Sequence, residues 1–443
     1  MLDLANKNTH LYMRVYHYYK NLILNGKLKP GSKMPSLRRC AAELQISRTS
    51  VEAAYLLLAA DGYIISRAQS GYYITDIAQK QAILPPKAKK ETPVIRYDFA
   101  SSGVDKDSFH FDIWRRYIKS ALRQDERLLS YGEPQGEQEL REVLCTYIHE
   151  RRNVLCSPDD IVIGAGIQSL LHILCPLLSS RKTVSFPNPS FLQGISIFED
   201  HGFTIHYRDK NSDVIYVSPA HMTKWGEIMP TSRRIELIHY AAQHGSIILE
   251  DDYENEFVYM QQPTPSLQSL AGGQGVVYLG SFSRLLLPSI RLSFMVLPPD
   301  LATRYHQEAS RYNQTASKME QIALCQFIRD GHLASQTRRL RRLYSNKLKE
   351  LYQTVRAVFG ENAKIRIGSA GISLALTLPC SLSGSSFQNL ALQNGLRIGV
   401  LSEKKEELEL ILSCSSSPTS DFLPGCQLLH QIWQSVSQNQ NSL

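Results

Sequence analysis

The chain has 443 residues, 43% hydrophobic and 20% charged, which excludes a disordered, collagen-like or membrane-embedded protein and, at roughly 150 residues per domain, calls for two or three domains. No apolar run approaches the roughly 18 residues of a spanning helix, and no basic stretch followed by an apolar core opens the chain, so a cytoplasmic protein is expected. The net charge of +8 is unevenly placed: residues 1–76 carry ten basic and five acidic side chains, residues 77–95 four and one, and residues 96–443 thirty-five of each, so a basic head on a neutral body is positioned to meet a polyanion.

Residues 9–76 are predicted to form three helices and a hairpin. Leu11, Val15, Tyr18 and Leu22 recur at helical spacing, and the stretch from Asn25 to Gly31 breaks that helix. Ser36 is a candidate cap for a short helix with Leu37, Ala41 and Leu44 on one face. Ser47 is a candidate cap for a third, with Val51, Ala54, Tyr55 and Leu58 inward and Asp61-Gly62 at its end. Tyr63-Ile64-Ile65 and Tyr72-Tyr73-Ile74 are predicted strands joined across Gln69-Ser70-Gly71. This is the pattern of a winged helix-turn-helix. Its recognition helix needs hydrogen-bonding side chains at the end that enters the major groove. Ser47-Arg48-Thr49-Ser50 supplies a cap, a long cation and two hydroxyls, Arg38 can reach a phosphate or a guanine edge, and Gly71 lets the backbone approach the minor groove. These residue types alone leave open a protein-binding domain with a solvated basic surface.

Residues 77–95 contain Pro85-Pro86, Lys87, Lys89, Lys90 and Pro93 and read as a linker stiffened by proline and extended by like charges. From about residue 96, short apolar runs (161–163, 184–186, 214–217, 247–249 and 276–279) alternate with helix-like segments such as 168–178 and 232–243, which predicts a largely parallel, buried sheet in a large domain spanning 96–337. Residues 338–443 are predicted to be a smaller α+β domain, opening with a long helix and holding strands near 364–378 and 408–413. Arg338, Arg339, Arg341 and Arg342 read as the solvated face of that helix, with Leu340 and Leu343 inward. The eight cysteines include no C-x-x-C and mostly lie in apolar runs, so reduced buried thiols are expected; the thirteen histidines show no metal-binding spacing, and no metal site is expected.

Three features of the body carry chemistry. Gly164-Ala165-Gly166-Ile167-Gln168 follows a predicted strand and opens a helix, so its backbone N–H groups can meet a phosphate. Ser281 and Ser283, with Arg291 further on, can supply two hydroxyls and a bidentate cation to the same anion. Glu250-Asp251-Asp252-Tyr253 ends an apolar strand, where a carboxylate can pair with a protonated pyridine nitrogen; three acids solvated at a strand end are the plainer alternative.

The ordered segments from Asn25 to Gly31, Met34 to Arg38, Ile46 to Val51, Ala54-Tyr55 and Asp61 to Tyr63 resemble the GntR family of bacterial winged-helix regulators. Those of 96–435 resemble fold-type I aminotransferases, and head and body together resemble the MocR/GabR-type regulators. The segments that carry this are 128–136, Leu140-Arg141, 165–168, Pro187 to Phe191, Glu250 to Phe257 and Tyr278 to Ser283. The resemblance implies double-stranded operator DNA as partner, with Arg38, Ser47, Arg48, Thr49, Ser50 and Gly71 at contact positions. It also implies pyridoxal 5′-phosphate as the body's cofactor. Asp251 would face the pyridine nitrogen, Tyr253 the ring hydroxyl and Phe191 the ring face; Gly166, Ile167, Gln168, Ser281, Ser283 and Arg291 would cup the phosphate. Tyr131 would reach the cofactor of the partner subunit in a head-to-tail homodimer.

The sequence departs from this pattern in three places. The lysine with which the family forms a Schiff base is here Arg284, and the phosphate arginine seven residues on fixes the register. A guanidinium stays protonated and is neither a nucleophilic amine nor a proton-abstracting base. The C-terminal strand 409–414 lacks the family's substrate-carboxylate arginine, and the loop 220–226 differs from its usual form. Lys224 in that loop is a candidate for a relocated amine, a solvated lysine being the plainer alternative. The expectation is a regulator with a catalytically disabled body that senses pyridoxal phosphate, or a related vitamer, noncovalently. Two alternatives stay open: a working aminotransferase with a DNA-binding appendage, and a pocket that takes another anion or nothing.

Overall fold

The computed structural model describes residues 10–76, 94–100, 103–259, 264–360, 363–404 and 406–438. The chain divides into two compact units, residues 1–92 and 93–443. The predicted linker lies outside the described residues as far as residue 93.

The head contains α1 (Leu11–Leu24), α2 (Leu37–Leu44), α3 (Arg48–Ala60) and an antiparallel hairpin of β1 (Ile64–Arg67) and β2 (Gly71–Ile74). Ser36 and Ser47 cap α2 and α3: each hydroxyl accepts from the backbone N–H three residues on, Arg39 at 3.3 Å and Ser50 at 3.2 Å. Such caps satisfy helix-end donors that have no partner inside the helix. Val51, Ala54, Tyr55 and Leu58 are buried, as their spacing predicts. The buried face of α1 differs from the expected one. Val15, Tyr16, Tyr19 and Ile23 are buried, while Leu11, Tyr18 and Leu22 are half-buried. Tyrosine hydroxyls set this rotation: Tyr19 reaches Cys40 Sγ at 3.2 Å and packs edge-on against Tyr55, and Tyr16 donates to Asp61.

The body opens with β3 (Tyr97–Asp98) and builds a seven-stranded sheet from β4 (Ile161–Gly164), β5 (Thr183–Phe186), β6 (Thr204–Tyr207), β7 (Val214–Val217), β8 (Ile247–Asp251), β9 (Val276–Ser281) and β10 (Ser293–Val296). The spatial order is β4-β10-β9-β8-β7-β5-β6. Only β10 runs antiparallel to its neighbours, so the sheet is mostly parallel, and apolar runs such as Ile161 to Ile163 are buried on both faces.

A second, antiparallel sheet contains β11 (Lys364–Arg366), β12 (Ser373–Pro379), β14 (Gly399–Lys404) and β15 (Glu407–Ser413), in the order β11-β12-β15-β14, while β13 (Leu396–Arg397) pairs with β3. A single 28-residue helix, His332–Phe359, leads into this lobe. The boundary expected at 337/338 therefore falls inside a continuous helix, whose buried residues begin at Leu333 and run to Phe359. Leu340 is buried and Leu343 half-buried, with Arg338 and Arg342 exposed.

The two lobes of the body are laced by backbone hydrogen bonds. Gly368 and Ala370 donate to the Trp225 and Gly226 carbonyls at 2.7 and 3.1 Å; Tyr259 donates to Ser369, and Gly371 to Phe257, at 2.9 Å each. Gly226 is required here: its φ is +90°, and a Cβ would fall 1.6 Å from the Ala370 carbonyl oxygen. All eight cysteines are free thiols, six of them buried. Among the described residues no helix is long and apolar enough to cross a membrane.

Candidate functional site

Ligands of open α/β sheets bind beyond the carboxyl ends of the parallel strands. Here β7, β8 and β9 end together. Strand alternation separates the three consecutive acids of β8 and its exit. Glu250 turns to one face, where its carboxylate accepts from the Leu267 and Gln268 N–H groups at 2.9 Å each. Asp252 is held bidentately by buried Arg152, at 2.6 Å through Nε and 2.9 Å through Nη2, and accepts from Tyr278 Oη at 2.6 Å. Both acids are therefore committed to the fold.

Asp251 faces the other way. Its Oδ2 accepts from Tyr216 Oη of β7 at 2.5 Å, and its Oδ1 is buried with no hydrogen-bond partner among the described residues. Burial lifts its carboxyl to about 7, against the opposing pull of the Tyr216 hydrogen bond. Phe191 stands 5.5 Å from the Tyr216 ring, tilted by 36°, and presses on Gly194, where a Cβ would lie 2.1 Å from its ring.

The residues expected at the phosphate lie at the turns after β4 and β9 and at Arg291. Gly166, at φ +92°, caps the helix Ile167–Leu177, and a Cβ there would lie 2.3 Å from Arg291 Nη2, so the guanidinium rests against the helix start. Ser281, on the same face of β9 as Leu279, which pairs with Asp251, bonds to Ser283 at 3.2 Å between hydroxyls. Ile167 is half-buried and Gln168 exposed.

Arg284 is tied through Nε to Glu254 Oε1 at 3.0 Å and donates through Nη1 to the Gly103 carbonyl at 3.3 Å. Glu254 is buried, and its Oε2 is 3.6 Å from Nδ1 of buried His221, whose ring lies 5.0 Å from that of Tyr253. Burial holds His221 below its ordinary value and pushes the Tyr253 phenol up. Lys224 is exposed, in a loop whose Trp225 stacks 4.1 Å from the Arg366 guanidinium; Arg366 also pairs with Glu409. Tyr131 is fully exposed and is not brought together with the buried Asp251.

Sequence reasoning missed Tyr216, Glu254 and His221. Tyr216 is the one polar side chain in the run from Val214 to Val217, and that was its available signal. Glu254 and His221 meet Arg284 only in three dimensions.

On the head, Arg38 and Arg48 are exposed and make no hydrogen bond or ion pair among the described residues, whereas Arg39 is held by Glu43 at 2.7 Å. Thr49 is exposed and Ser50 half-buried, and both hydroxyls bond Ser47 Oγ, at 3.0 and 2.8 Å. Gly71 is exposed at φ +105° in the hairpin. Beside it Arg67 stacks on the Tyr73 ring at 4.4 Å, with Lys33 at 5.9 Å, two further cations that sequence reasoning did not single out.

Residues 11–74 match the family model "Bacterial regulatory proteins, gntR family", and residues 98–394 match "Aminotransferase class I and II". The "Uncharacterized HTH-type transcriptional regulator YdeL" of Bacillus subtilis (strain 168) is 33% identical over 448 residues, covering 96% of this chain and 97% of that one. The "Probable rhizopine catabolism regulatory protein MocR" of Rhizobium meliloti is 26% identical over 435 residues, covering 89% and 87%. Among solved structures, an archaeal alanine:glyoxylate aminotransferase superposes with a TM-score of 0.68 at 19% identity, over 78% of this chain and 92% of that one, a likeness of fold. The chain thus belongs to the HTH-type transcriptional regulators of the MocR kind, with a gntR-family DNA-binding head and an aminotransferase class I and II body.

Proposed function

We propose that the body senses pyridoxal 5′-phosphate or a related vitamer, held without a covalent bond, and that its occupancy shifts how a head-to-tail homodimer engages operator DNA. The observation that carries this reading is the orphaned Oδ1 of Asp251. A buried acceptor without a donor is costly, and a protonated pyridine nitrogen is the donor it lacks.

The residues around it fit the rest of such a molecule. Arg291, the N–H groups at the start of Ile167–Leu177, and the Ser281 and Ser283 hydroxyls suit a phosphate dianion. Phe191 would cover the ring and Tyr253 would meet the ring hydroxyl, while Tyr131 of the partner subunit would reach the phosphate. The bound vitamer supplies an electrophilic aldehyde on an electron-withdrawing ring. Arg284 cannot attack that aldehyde or abstract a proton from a substrate carbon, so this chain's residues bind and orient the molecule and the body is not an enzyme. On the head, Arg38, Arg48, Thr49, Ser50 and Gly71 would face DNA, while Ser47 serves mainly by holding the helix start. The protein would act in the cytoplasm.

The test is titration of the full-length protein with pyridoxal 5′-phosphate, followed by intrinsic fluorescence and visible absorption, then borohydride treatment and peptide mapping. Saturable binding with the spectrum of the free aldehyde and no modified lysine is expected. Failure of every B6 vitamer to bind rejects the reading. A modified Lys224 peptide, with amino-acid turnover lost in Lys224→Ala, would instead make the body a working transferase.

A further inference from the structure

Six of the eight thiols are buried, and the two that are half-buried, Cys145 and Cys156, are neighbours of each other. Cys145 sits in the second half of the helix Gln138–Arg152, and Cys156 in the irregular segment that follows it. Cys145 Sγ donates to the Cys156 carbonyl oxygen at 2.9 Å, and Cys156 Sγ donates to Cys145 Sγ at 3.5 Å.

That segment is tied to the end of β8. The Leu155 N–H donates to Gln268 Oε1 at 2.9 Å, and the Leu155 carbonyl accepts from Gln268 Nε2 at 2.6 Å. The Gln268 N–H in turn donates to Glu250 at 2.9 Å, and the Ser266 hydroxyl donates to the Arg152 carbonyl at 3.2 Å. A displacement of residues 153–156 is therefore passed to residues 266–268, and from there to the strand that ends in Asp251.

Thiol oxidation needs a thiolate and access. The hydrogen bond from Cys156 onto the Cys145 sulfur favours the Cys145 thiolate, whereas burial pushes the Cys156 thiol up. Cys145 is thus the first nucleophile and Cys156 the resolving one. We propose that Cys145 and Cys156 form a peroxide-responsive thiol switch, in which an internal disulfide closes between them and shifts the Gln268 link to β8. The Cys145 thiolate attacks one oxygen of hydrogen peroxide: the S–O bond forms, the O–O bond breaks, and the departing hydroxide takes up a proton as water. The Cys156 sulfur, having lost its proton, attacks the Cys145 sulfur: the S–S bond forms, the S–O bond breaks, and a second water leaves. The sulfurs together give up the electron pair that the peroxide gains, and a thiol reductant reverses the change. A disulfide bond is about 2.0 Å long, so the sulfurs close by about 1.5 Å, and the irregular segment yields more readily than the helix.

The test treats the full-length protein with a modest excess of hydrogen peroxide, alkylates the remaining thiols in denaturant, and digests with trypsin without reductant. Cleavage after Arg151 and Arg152 puts the two cysteines on separate peptides, so the disulfide is read as their joined mass. Two of the eight free thiols should disappear, the joined pair should be released by dithiothreitol, and amide hydrogen exchange at Leu155 and Gln268 should differ between the oxidised and reduced protein. Cys156→Ser should give no joined pair and hold Cys145 as a sulfenic acid that dimedone traps. The wild-type measurements need no variant to fold. No joined pair in the wild type, or a joined pair with exchange unchanged at those two amides, overturns the proposal, whatever the pocket binds.

Discussion

Replacing Asp251 with asparagine separates what the carboxylate does for a ligand from what it costs the fold. Burial lifts the Asp251 carboxyl from 3.8 to about 7. The folded chain then holds a proton that the unfolded chain has released, so this group's contribution is fully present below about pH 3.8 and is lost as pH rises through about 7. At about 1.4 kcal/mol per pH unit, the whole effect is on the order of 4 kcal/mol, and roughly 3 kcal/mol of it is lost between pH 5 and pH 8.5. The amide does not titrate. It keeps an acceptor for Tyr216 but brings an NH2 into the place of the unpaired oxygen, which costs about 1–3 kcal/mol at every pH. The diagnostic is thus the slope and not the offset. In urea unfolding of the ligand-free protein, Asp251→Asn should gain on wild type by up to about 3 kcal/mol between pH 5 and pH 8.5. At the alkaline end it should bind pyridoxal phosphate at least about tenfold more weakly, having lost the charged partner of the pyridine nitrogen. A stability difference that stays flat with pH would refute the claim that burial governs this carboxyl.

Gly166→Ala places a Cβ 2.3 Å from Arg291 Nη2 in a backbone at φ +92°; affinity for pyridoxal phosphate should fall about tenfold or more while that for phosphate-free pyridoxal hardly changes, read by fluorescence titration. Arg152→Met strands the buried Asp252 carboxylate and should cost about 3–5 kcal/mol in urea unfolding, partly recovered by adding Asp252→Asn. Arg284→Lys should gain a covalent chromophore with pyridoxal phosphate, red-shifted from the free aldehyde. Its yield should rise toward alkaline pH, because the Glu254 carboxylate favours the charged amine. In the head, Arg48→Ala should lower operator affinity with a salt slope smaller by about 1 if it meets a phosphate, whereas Ser47→Ala should cost about 1 kcal/mol of head stability through the lost cap.

Much of the architecture was legible from local pattern. Val51, Ala54, Tyr55 and Leu58 repeat at the helical period and are buried as one face, and the apolar strands of the body announce a sheet covered on both sides. Three acids in a row marked the end of β8, and alternation alone separates Asp251 from Glu250 and Asp252. Their partners were not legible. Arg152 meets Asp252 across 100 residues and Tyr216 meets Asp251 across 35, and no periodicity encodes which distant donor closes on which acid. The substitution at 284 was visible, but not what holds it: Glu254 reads as one more acid in a polar run until a left-handed turn brings it under the arginine. The rotated face of α1 has a similar cause, since adjacent tyrosines at 18 and 19 are equivalent to a hydrophobicity pattern and only Tyr19 finds Cys40 and Tyr55.

The long helix His332–Phe359 has a consequence for how this protein can be taken apart and reassembled. At 1.5 Å per residue it is a rod of about 42 Å that carries Leu333 and Leu340 at one end and Val355 and Phe359 at the other. A cut at residue 337 would expose apolar side chains on both fragments, so the smaller lobe is not a portable unit and cannot be exchanged between relatives by splicing at that point. The modules available to recombination are the head and the undivided body.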